Sequence, residues 1–495
     1  MKYYKVLLAI LSALFIFHGV FYTDYVYLDE AYQLWNNDSN KNFEMFVVQG
    51  RYLTGLLMQK CFTSITSIDQ LKLLRIVSLC GWMIAAVLWW NTFSKWQAML
   101  RLNVRLVWLS TVFLLSSLPV AVYIGWASCM QLFLAFIAAL LAARLLFNDI
   151  IGQQERIRLS TSKIILVISL GLTSLFFYQS AFGIFLLPFF LLYVKEPGLR
   201  PGRVVLIGIG FYLATCIVYY LLFRFSMQQM HMAASTRTGI AIDPMKKLSF
   251  FISGPLPQAF SFNILYNLKS LFSMIFYLFV LASWMVMVVV KKPRGNWLGK
   301  LGKIAGILLL CMLIYLPQMA SAENFSSYRT MIALSLSVFI MLGESLLELV
   351  NKNSRKRMVA VTGTVLLVVM AYYNFNYQFL NPLAEEYRQL RKYISHQYQP
   401  GITTIVFIHP PEAVFNDRFG TKVYKDEFGL PSTFKDWTPE PLIKQMIFEQ
   451  TGNRALAKQL KIKAYPSREE FEKDRATVDP AQLVMDMEHI LKTTQ

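Results

Sequence analysis

The chain has 495 residues, of which 56% are hydrophobic and only 16% are charged. This balance excludes an ordinary soluble protein, which needs more polar residues to cover its surface. The net charge of +19 does not indicate nucleic-acid binding, because residues 378–495 carry sixteen acidic and sixteen basic side chains and the excess lies among the apolar segments. We therefore expect an integral protein of the inner or plasma membrane, with membrane lipids and no nucleic acid among its partners.

Eleven apolar runs approach the length of about twenty residues that a transmembrane helix requires. The first follows Lys2 and Lys5 like a signal peptide, but no cleavage site follows it, so we interpret it as a retained signal anchor. The predicted spans are residues 4–22, 74–93, 106–124, 127–147, 164–178, 180–194, 204–223, 270–290, 303–319, 330–348 and 358–377.

Basic loops predict the orientation, because Lys and Arg accumulate on the cytoplasmic side of membrane proteins. Residues 164–194 are too long for one helix and short for two, and basic clusters flank both ends. We therefore predict two short helices that turn at Tyr178-Gln179-Ser180, and a single helix here would reverse the side of every later segment. The N-terminus is then cytoplasmic, and the outer regions are residues 23–73, 224–269, 318–329 and the tail from about 378.

The tail has a mixed composition that predicts a small extracytoplasmic α/β domain over residues 378–495. Residues 384–396 and 438–450 have helical patterns, whereas the β-branched run 402–408 and the shorter 462–464 are typical of strands. The expected fold is an all-α polytopic membrane protein of about eleven transmembrane helices over residues 1–377, followed by this domain.

Two adjacent acids, Asp29 and Glu30, directly follow the first span, with Tyr32 close behind. An enzyme that moves a sugar from a lipid phosphate needs a carboxylate to activate the acceptor hydroxyl. Adjacent helical residues point about 100° apart, so the two acids would not share one task. One would be the base, and the other would orient it or bind the acceptor.

Cations on the outer side are the second feature of the site, since a departing phosphate needs cationic donors. Arg51 and Arg329 are the better candidates because each lies at the outer mouth of an apolar run, where an idle charge is costly. Arg224 and Lys269 are further candidates for the donor phosphate. The full set of outer cations is Arg51, Arg224, Arg237, Lys246, Lys247, Lys269 and Arg329.

Four residues could contact a sugar or the acceptor, and Tyr32 behind the acidic pair is the first of them. Gln179 and Tyr178 lie at the outer turn of the predicted hairpin. Glu323 could touch the acceptor or pair with the nearby Arg329. No metal-ligand set is recognisable, because His231 and His409 are isolated and the five cysteines lack a CxxC spacing.

Together these residues resemble the GT-C superfamily of membrane glycosyltransferases. Asp29-Glu30-Ala31 looks like the acidic motif in that superfamily's first outer loop. Gly50-Arg51-Tyr52 looks like the Gly-Arg-aromatic motif of the bacterial O-antigen glucosyltransferase (Gtr type II-like) branch, and Tyr178-Gln179-Ser180 resembles its Tyr-Gln turn. Arg329 occupies a place where that branch often has an arginine. The resemblance covers about residues 1–377.

The resemblance implies a polyprenyl-phosphate (undecaprenyl-type) sugar donor, a hexose as the sugar, and inverting transfer to an envelope glycan or lipid-linked acceptor. It also implies Asp29 as the general base and no metal or other cofactor. Three other classes stay open: a flippase or transporter of lipid-linked saccharides, a polysaccharide polymerase, and a scaffold whose tail recruits partners. The first two would use the same cations, but neither gives a reason for the Asp-Glu motif.

Overall fold

A computed structural model describes residues 3–152, 159–195, 201–240, 243–267, 270–291, 297–422, 424, 427–474 and 481–492. The α-helices up to the last apolar run are α1 (Tyr3–Ile16), α2 (Asp29–Trp35), α3 (Lys41–Val47), α4 (Tyr52–Thr63), α5 (Leu71–Met99), α6 (Arg105–Ser116), α7 (Leu118–Gly125), α8 (Leu132–Gly152), α9 (Thr161–Phe177), α10 (Leu187–Lys195), α11 (Pro201–Gln229), α12 (Pro244–Ser253), α13 (Pro255–Phe260), α14 (Leu271–Lys291), α15 (Trp297–Ile314), α16 (Leu316–Ala320), α17 (Ile332–Leu349) and α18 (Asn353–Tyr373). Later elements are α19 (Asn381–Gln397), β1 (Thr404–Ile408), α20 (Val414–Phe419), α21 (Pro439–Thr451), α22 (Arg454–Gln459), β2 (Lys461–Tyr465), α23 (Arg468–Asp474), β3 (Gln482–Asp486) and α24 (Met487–Lys492).

The chain is a mainly helical membrane protein. Within the described residues, six helices are long and apolar enough to cross a bilayer: Ile68–Met99, Ala127–Gly152, Gly202–Gln229, Trp297–Ile314, Ile332–Leu349 and Asn353–Gln397. The pair α6 and α7, bent by 40°, would together make a seventh. Shorter apolar helices occupy Tyr4–Ile16, Thr161–Phe177, Gln179–Lys195 and Leu271–Met287. Every predicted run overlaps one of these helices, but the count of eleven spans stays a prediction because the shorter ones fall below spanning length.

The bend between α6 and α7 has a local cause. Ser117 has an extended backbone, and Pro119 follows in the first turn of α7. Proline is tolerated there because the first amides of a helix have no intrahelical acceptor, whereas inside a helix it removes a hydrogen bond. Because of this bend, α7 points toward the segment before α17, and its Tyr123 hydroxyl donates to the carbonyl of Arg329 at 2.6 Å.

Residues 161–195 turn back on themselves at Tyr178. Helix α9 begins near the end of α8, where Lys163 pairs with Asp149. After the turn, a 3₁₀ segment (Gln179–Leu186) leads into α10, which ends where Lys195 pairs with Glu344 and Glu348 at the far end of α17. Lys163 and Lys195 therefore lie at the end of the helix bundle opposite Tyr178, whereas Arg156, Arg158 and Arg200 of the same flanks lie outside the described residues.

The last apolar run continues into the tail without a break. Helices α18 and α19 are joined by a π-helical turn, Asn374–Leu380, into one helix of 45 residues. The predicted boundary at 377/378 therefore falls inside a helix, and no linker separates the two parts of the chain at that point.

The predicted strand 402–408 is the centre of a three-stranded parallel sheet with the order β2-β1-β3. Ile405 pairs with Ile462 on one side and Leu483 on the other. A central parallel strand is covered on both faces, which explains the unbroken apolar run in β1. Strand β3 was not predicted. The helices expected at 384–396 and 438–450 correspond to α19 and α21, while an independent domain remains a prediction.

The tail packs on the segment between the first two apolar runs, residues 23–73. Gln445 of α21 donates to the carbonyl of Thr66 at 2.9 Å, and Glu449 accepts the backbone N–H of Ile68 at 2.8 Å. Arg454 donates to the carbonyl of Trp35 at 2.6 Å. These contacts bring tail residues to the end of the bundle where Asp29 lies.

Candidate functional site

A cavity of about 420 Å³ lies at the end of the helix bundle where α9 and α11 end and α8 and α17 begin. One wall is apolar and includes Leu213, Ile217 and Leu221 of α11. The opposite part is polar and carries three arginines together with Asp29: Arg51, Arg237 and Arg329. The cavity therefore joins a lipid-compatible surface to a positively charged end.

Asp29 is the first residue of α2 and lies in the cavity wall. One carboxylate oxygen accepts a hydrogen bond from the indole Nε1 of Trp437 at 3.0 Å. Burial raises the pKa of Asp29, while Arg329, the Trp437 hydrogen bond, Arg237 and Arg51 act in the opposite direction. The result is a partly exposed carboxylate at the boundary between the charged cavity and the tail, suited to accept a proton.

Glu30 faces the other way and is fully buried. Its carboxylate pairs with Arg75 of α5 at 2.6 Å and accepts the backbone N–H groups of Tyr27 and Ala127 at 2.8 and 2.5 Å. These bonds hold the start of α2 against α5 and the segment before α8. Of the three roles the sequence left open for this acid, its complete burial is compatible with support of Asp29 rather than with acting as the base or binding the acceptor.

The backbone immediately before α2 is unusual. Leu28 has φ 47° and ψ −114°, an uncommon conformation for a residue with a side chain. Its N–H lies 3.4 Å from the hydroxyl of Ser432, so the tail helps to hold this turn.

Arg51 is held by the outer turn of the α9–α10 hairpin. Its guanidinium lies 4.6 Å from the centre of the Tyr178 ring, and its Nε donates to Gln179 Oε1 at 3.4 Å. Gln179 in turn donates to the carbonyl of Gln49 at 2.9 Å and the hydroxyl of Tyr219 at 2.7 Å. The predicted residues Arg51, Tyr178 and Gln179 thus form one cluster in the cavity wall.

Gly50 makes this arrangement possible. Its φ is +78°, and a Cβ added there would lie only 2.2 Å from the Tyr219 hydroxyl oxygen. Any side chain at this position would therefore displace the tyrosine and strain the backbone. Steric exclusion therefore explains why glycine precedes Arg51 in the sequence.

Arg329 lies on the other side of the cavity. Its guanidinium is 4.6 Å from the Trp126 ring, and its Nε is 3.7 Å from Glu427 of the tail. At the rim, Glu323 pairs with Arg237 at 3.0 Å rather than with Arg329. Two of the three cavity arginines therefore have a carboxylate partner of their own.

Several buried polar atoms in the cavity wall have no hydrogen-bond partner within the described part of the chain: Tyr178 Oη, Gln131 Oε1 and Trp126 Nε1. Such groups cost free energy unless they are satisfied.

Other predicted residues are not brought into the cavity. Arg224 is exposed on α11, and Tyr32 is partly exposed on α2, and neither lies in the cavity wall. Lys269 lies outside the described residues. Conversely, Trp437 and Glu427 were missed because they come from the tail, and Arg237 was only one of seven outer cations. The sequence offered one indication of Trp437 as a site residue: a large aromatic side chain in a polar loop, Lys435-Asp436-Trp437.

Among the residues that the structure describes, no group of three or more His, Cys, Asp and Glu side chains could hold a metal ion. Metal independence stays a prediction. Comparison with models of known families, with curated proteins and with solved structures finds no match. The features of the chain itself define a mainly helical membrane protein with an arginine-lined cavity and two carboxylates, Asp29 and Glu323, in the cavity wall.

Proposed function

We propose that this protein is an inverting glycosyltransferase of GT-C type, which moves a sugar from a polyprenyl-phosphate donor to an envelope glycan or lipid-linked acceptor. The supporting observation is the placement of Asp29 in one cavity with Arg51, Arg237 and Arg329. A carboxylate base and a set of phosphate-binding cations are the two groups that this transfer needs.

The apolar wall supports a lipid-linked donor. Ile217 and Leu221 line the cavity, yet they are 60% and 62% exposed on the outer surface of α11, a candidate span. A polyprenyl chain in the membrane could lie along this helix while its phosphate meets Arg51 and Arg329. Arginine suits this role because its planar fork matches phosphate oxygens.

The distribution of charge supports an extracytoplasmic site. The basic loops cluster at the opposite end of the bundle, around Lys163, Lys195 and residues 352–357. By the positive-inside rule that end is cytoplasmic. We therefore propose eleven spans, a cytoplasmic N-terminus and an extracytoplasmic α/β domain at the C-terminus.

The chemical step is a single displacement. The Asp29 carboxylate takes the proton of an acceptor hydroxyl as that oxygen bonds to the anomeric carbon. The bond from this carbon to the phosphate oxygen breaks, and its electron pair leaves with the polyprenyl phosphate. The arginines stabilise the charge that develops on the phosphate, and one in-line attack inverts the anomeric centre.

The test is transfer of label from lipid to acceptor. Purified protein is incubated with radiolabelled polyprenyl-phosphate hexoses and a crude cell-envelope acceptor, and the wild type is compared with Asp29→Asn. Asp417→Asn, an exposed acid of the tail outside the cavity wall, is the matched control. We expect transfer by the wild type and the control and its loss in folded Asp29→Asn.

The other outcomes are equally informative. Equal transfer by Asp29→Asn and the wild type would remove Asp29 from the role of base. No transfer by the wild type with any donor sugar would contradict the proposal and favour transport or polymerisation of lipid-linked saccharides.

A further inference from the structure

We propose that Trp437 is the recognition platform for a saccharide acceptor and that the same residue positions the base. This inference rests on the proposed glycosyltransferase function and assigns the chemical class of its acceptor. The tail thereby receives a role in the reaction.

Trp437 lies beside the base but outside the cavity wall. Its Nε1 donates to Asp29 at 3.0 Å, whereas the rest of the side chain leaves the residue 49% exposed. Asp29 therefore has the arginine-lined cavity on one side and an accessible indole on the other. A donor bound in the cavity and an acceptor bound on the indole would both reach the same carboxylate.

The loop that carries Trp437 is firmly held. The backbone N–H groups of Ser432 and Thr433 donate to the buried carboxylate of Glu386 at 2.9 and 3.0 Å. The Ser432 hydroxyl donates to the carbonyl of Val26 at 3.1 Å, which links the loop to the segment before Asp29. A platform fixed to the base in this way loses little conformational entropy when a ligand binds.

An exposed indole in a polar loop is suited to a sugar ring. The apolar C–H face of a pyranose can pack on the aromatic face, whose negative quadrupole attracts C–H groups. Charged groups that could take hydroxyl hydrogen bonds lie alongside, since Lys435 is 5.9 Å from the Trp437 ring and the side chain of Asp436 is 96% exposed. The combination favours a saccharide over a simple lipid alcohol, which has no ring face to stack.

Two substitutions separate the roles of the indole. Trp437→Phe keeps an aromatic face but removes the N–H, so we expect a near-normal KM for the acceptor. The hydrogen bond from Trp437 lowers the pKa of Asp29. Its loss should therefore raise that pKa and move the acid limb of the pH–rate profile to higher pH. Trp437→Gln keeps an N–H donor but removes the face, so the acceptor KM should rise about tenfold while the acid limb stays in place.

Trp297→Gln is the matched control, because Trp297 is also highly exposed and begins α15, at the end of that helix away from the cavity. The acceptor KM and the acid limb of the pH–rate profile should both be unchanged in this variant. If the wild type transfers sugar and Trp437→Gln leaves the acceptor KM unchanged, the platform is wrong while the glycosyltransferase stands.

If the wild type transfers nothing, the proposed function fails, and the platform is judged by binding alone. The probe is soluble oligosaccharide released from the same cell-envelope preparation, observed by saturation-transfer NMR with full-length protein in nanodiscs. Saturation that is present in the wild type and lost in Trp437→Gln supports a saccharide platform. Absence of saturation in the wild type, or equal saturation in both proteins, overturns it.

Discussion

The carboxylate of Glu30 lies 2.6 Å from the guanidinium of Arg75, and both side chains are completely buried. Arg75 also lies 3.5 Å from the centre of the Tyr25 ring. This ion pair fastens the start of α2 to α5, directly beside the Asp29 carboxylate in the cavity wall. Two neighbouring acids thus have separate tasks, one in the framework and one at the site.

Glu30→Gln should therefore destabilise the protein strongly. Removing one partner of a buried ion pair leaves an uncompensated charge, which costs about 3–5 kcal/mol. The measurement is thermal unfolding of purified protein in detergent, with the exposed Glu44→Gln as control. The double variant Glu30→Gln/Arg75→Met should recover part of the loss, because it leaves no buried charge alone. An unchanged melting temperature in Glu30→Gln would contradict this role.

Arg51→Lys should weaken donor binding although the charge is kept. Lysine lacks the planar fork and cannot reproduce the stacking on Tyr178 and the bond to Gln179. We expect the donor KM to rise about tenfold or more, since hydrogen bonds to charged groups contribute about 1.5–3 kcal/mol. Arg388→Lys, an exposed arginine of α19, is the control. Equal donor KM values in the two variants would show that Arg51 does not bind the phosphate.

The pH dependence should report the ionisation of Asp29. A general base is active only when deprotonated, so kcat/KM should fall as the pH drops through its pKa. Arg329 is the first of the groups that lower this pKa against the effect of burial. Removing the cation should move the acid limb to higher pH.

The variant for this measurement is Arg329→Gln/Glu427→Gln, which avoids leaving the buried Glu427 carboxylate without Arg329. Glu488→Gln/Lys492→Gln, an exposed pair on α24, is the control and should keep the wild-type limb. An acid limb that stays in place in the Arg329 double variant would mean that another group carries the titration.

Features with a local signal could be predicted from the sequence. The β-branched run at 402–408 contains the central strand of the sheet, and four of the five residues of that strand are buried. The turn at Tyr178 followed from basic residues on both flanks of residues 164–194. Arg51, Tyr178 and Gln179 were each predicted as site residues from the sequence. Their mutual contact was not predicted, and their binding roles stay predictions.

Features that depend on distant packing could not be predicted. Trp437 lies 408 residues after Asp29, and no periodicity links the two positions. The contact between Glu427 and Arg329 likewise joins residues far apart in the sequence and depends on how the tail packs on the helix bundle. The sequence predicted separate tasks for Asp29 and Glu30, but it did not show which acid is buried, because the partner of Glu30, Arg75, lies 45 residues further along the chain.

The orientation in the membrane provides the last prediction. If the site end is extracytoplasmic, a cysteine in the tail should react with a membrane-impermeant maleimide added to intact cells. Asp436→Cys suits this test because its side chain is 96% exposed, and Arg355→Cys at the start of α18 is an exposed position at the opposite end.

We expect labelling of Asp436→Cys in intact cells and of Arg355→Cys only after permeabilisation. The wild type, with its five native cysteines, gives the background. The reverse pattern would place the cavity on the cytoplasmic side, where nucleotide-activated sugars are available. The reason for a lipid-linked donor would then be lost, even if Asp29 and the arginines bound a sugar phosphate.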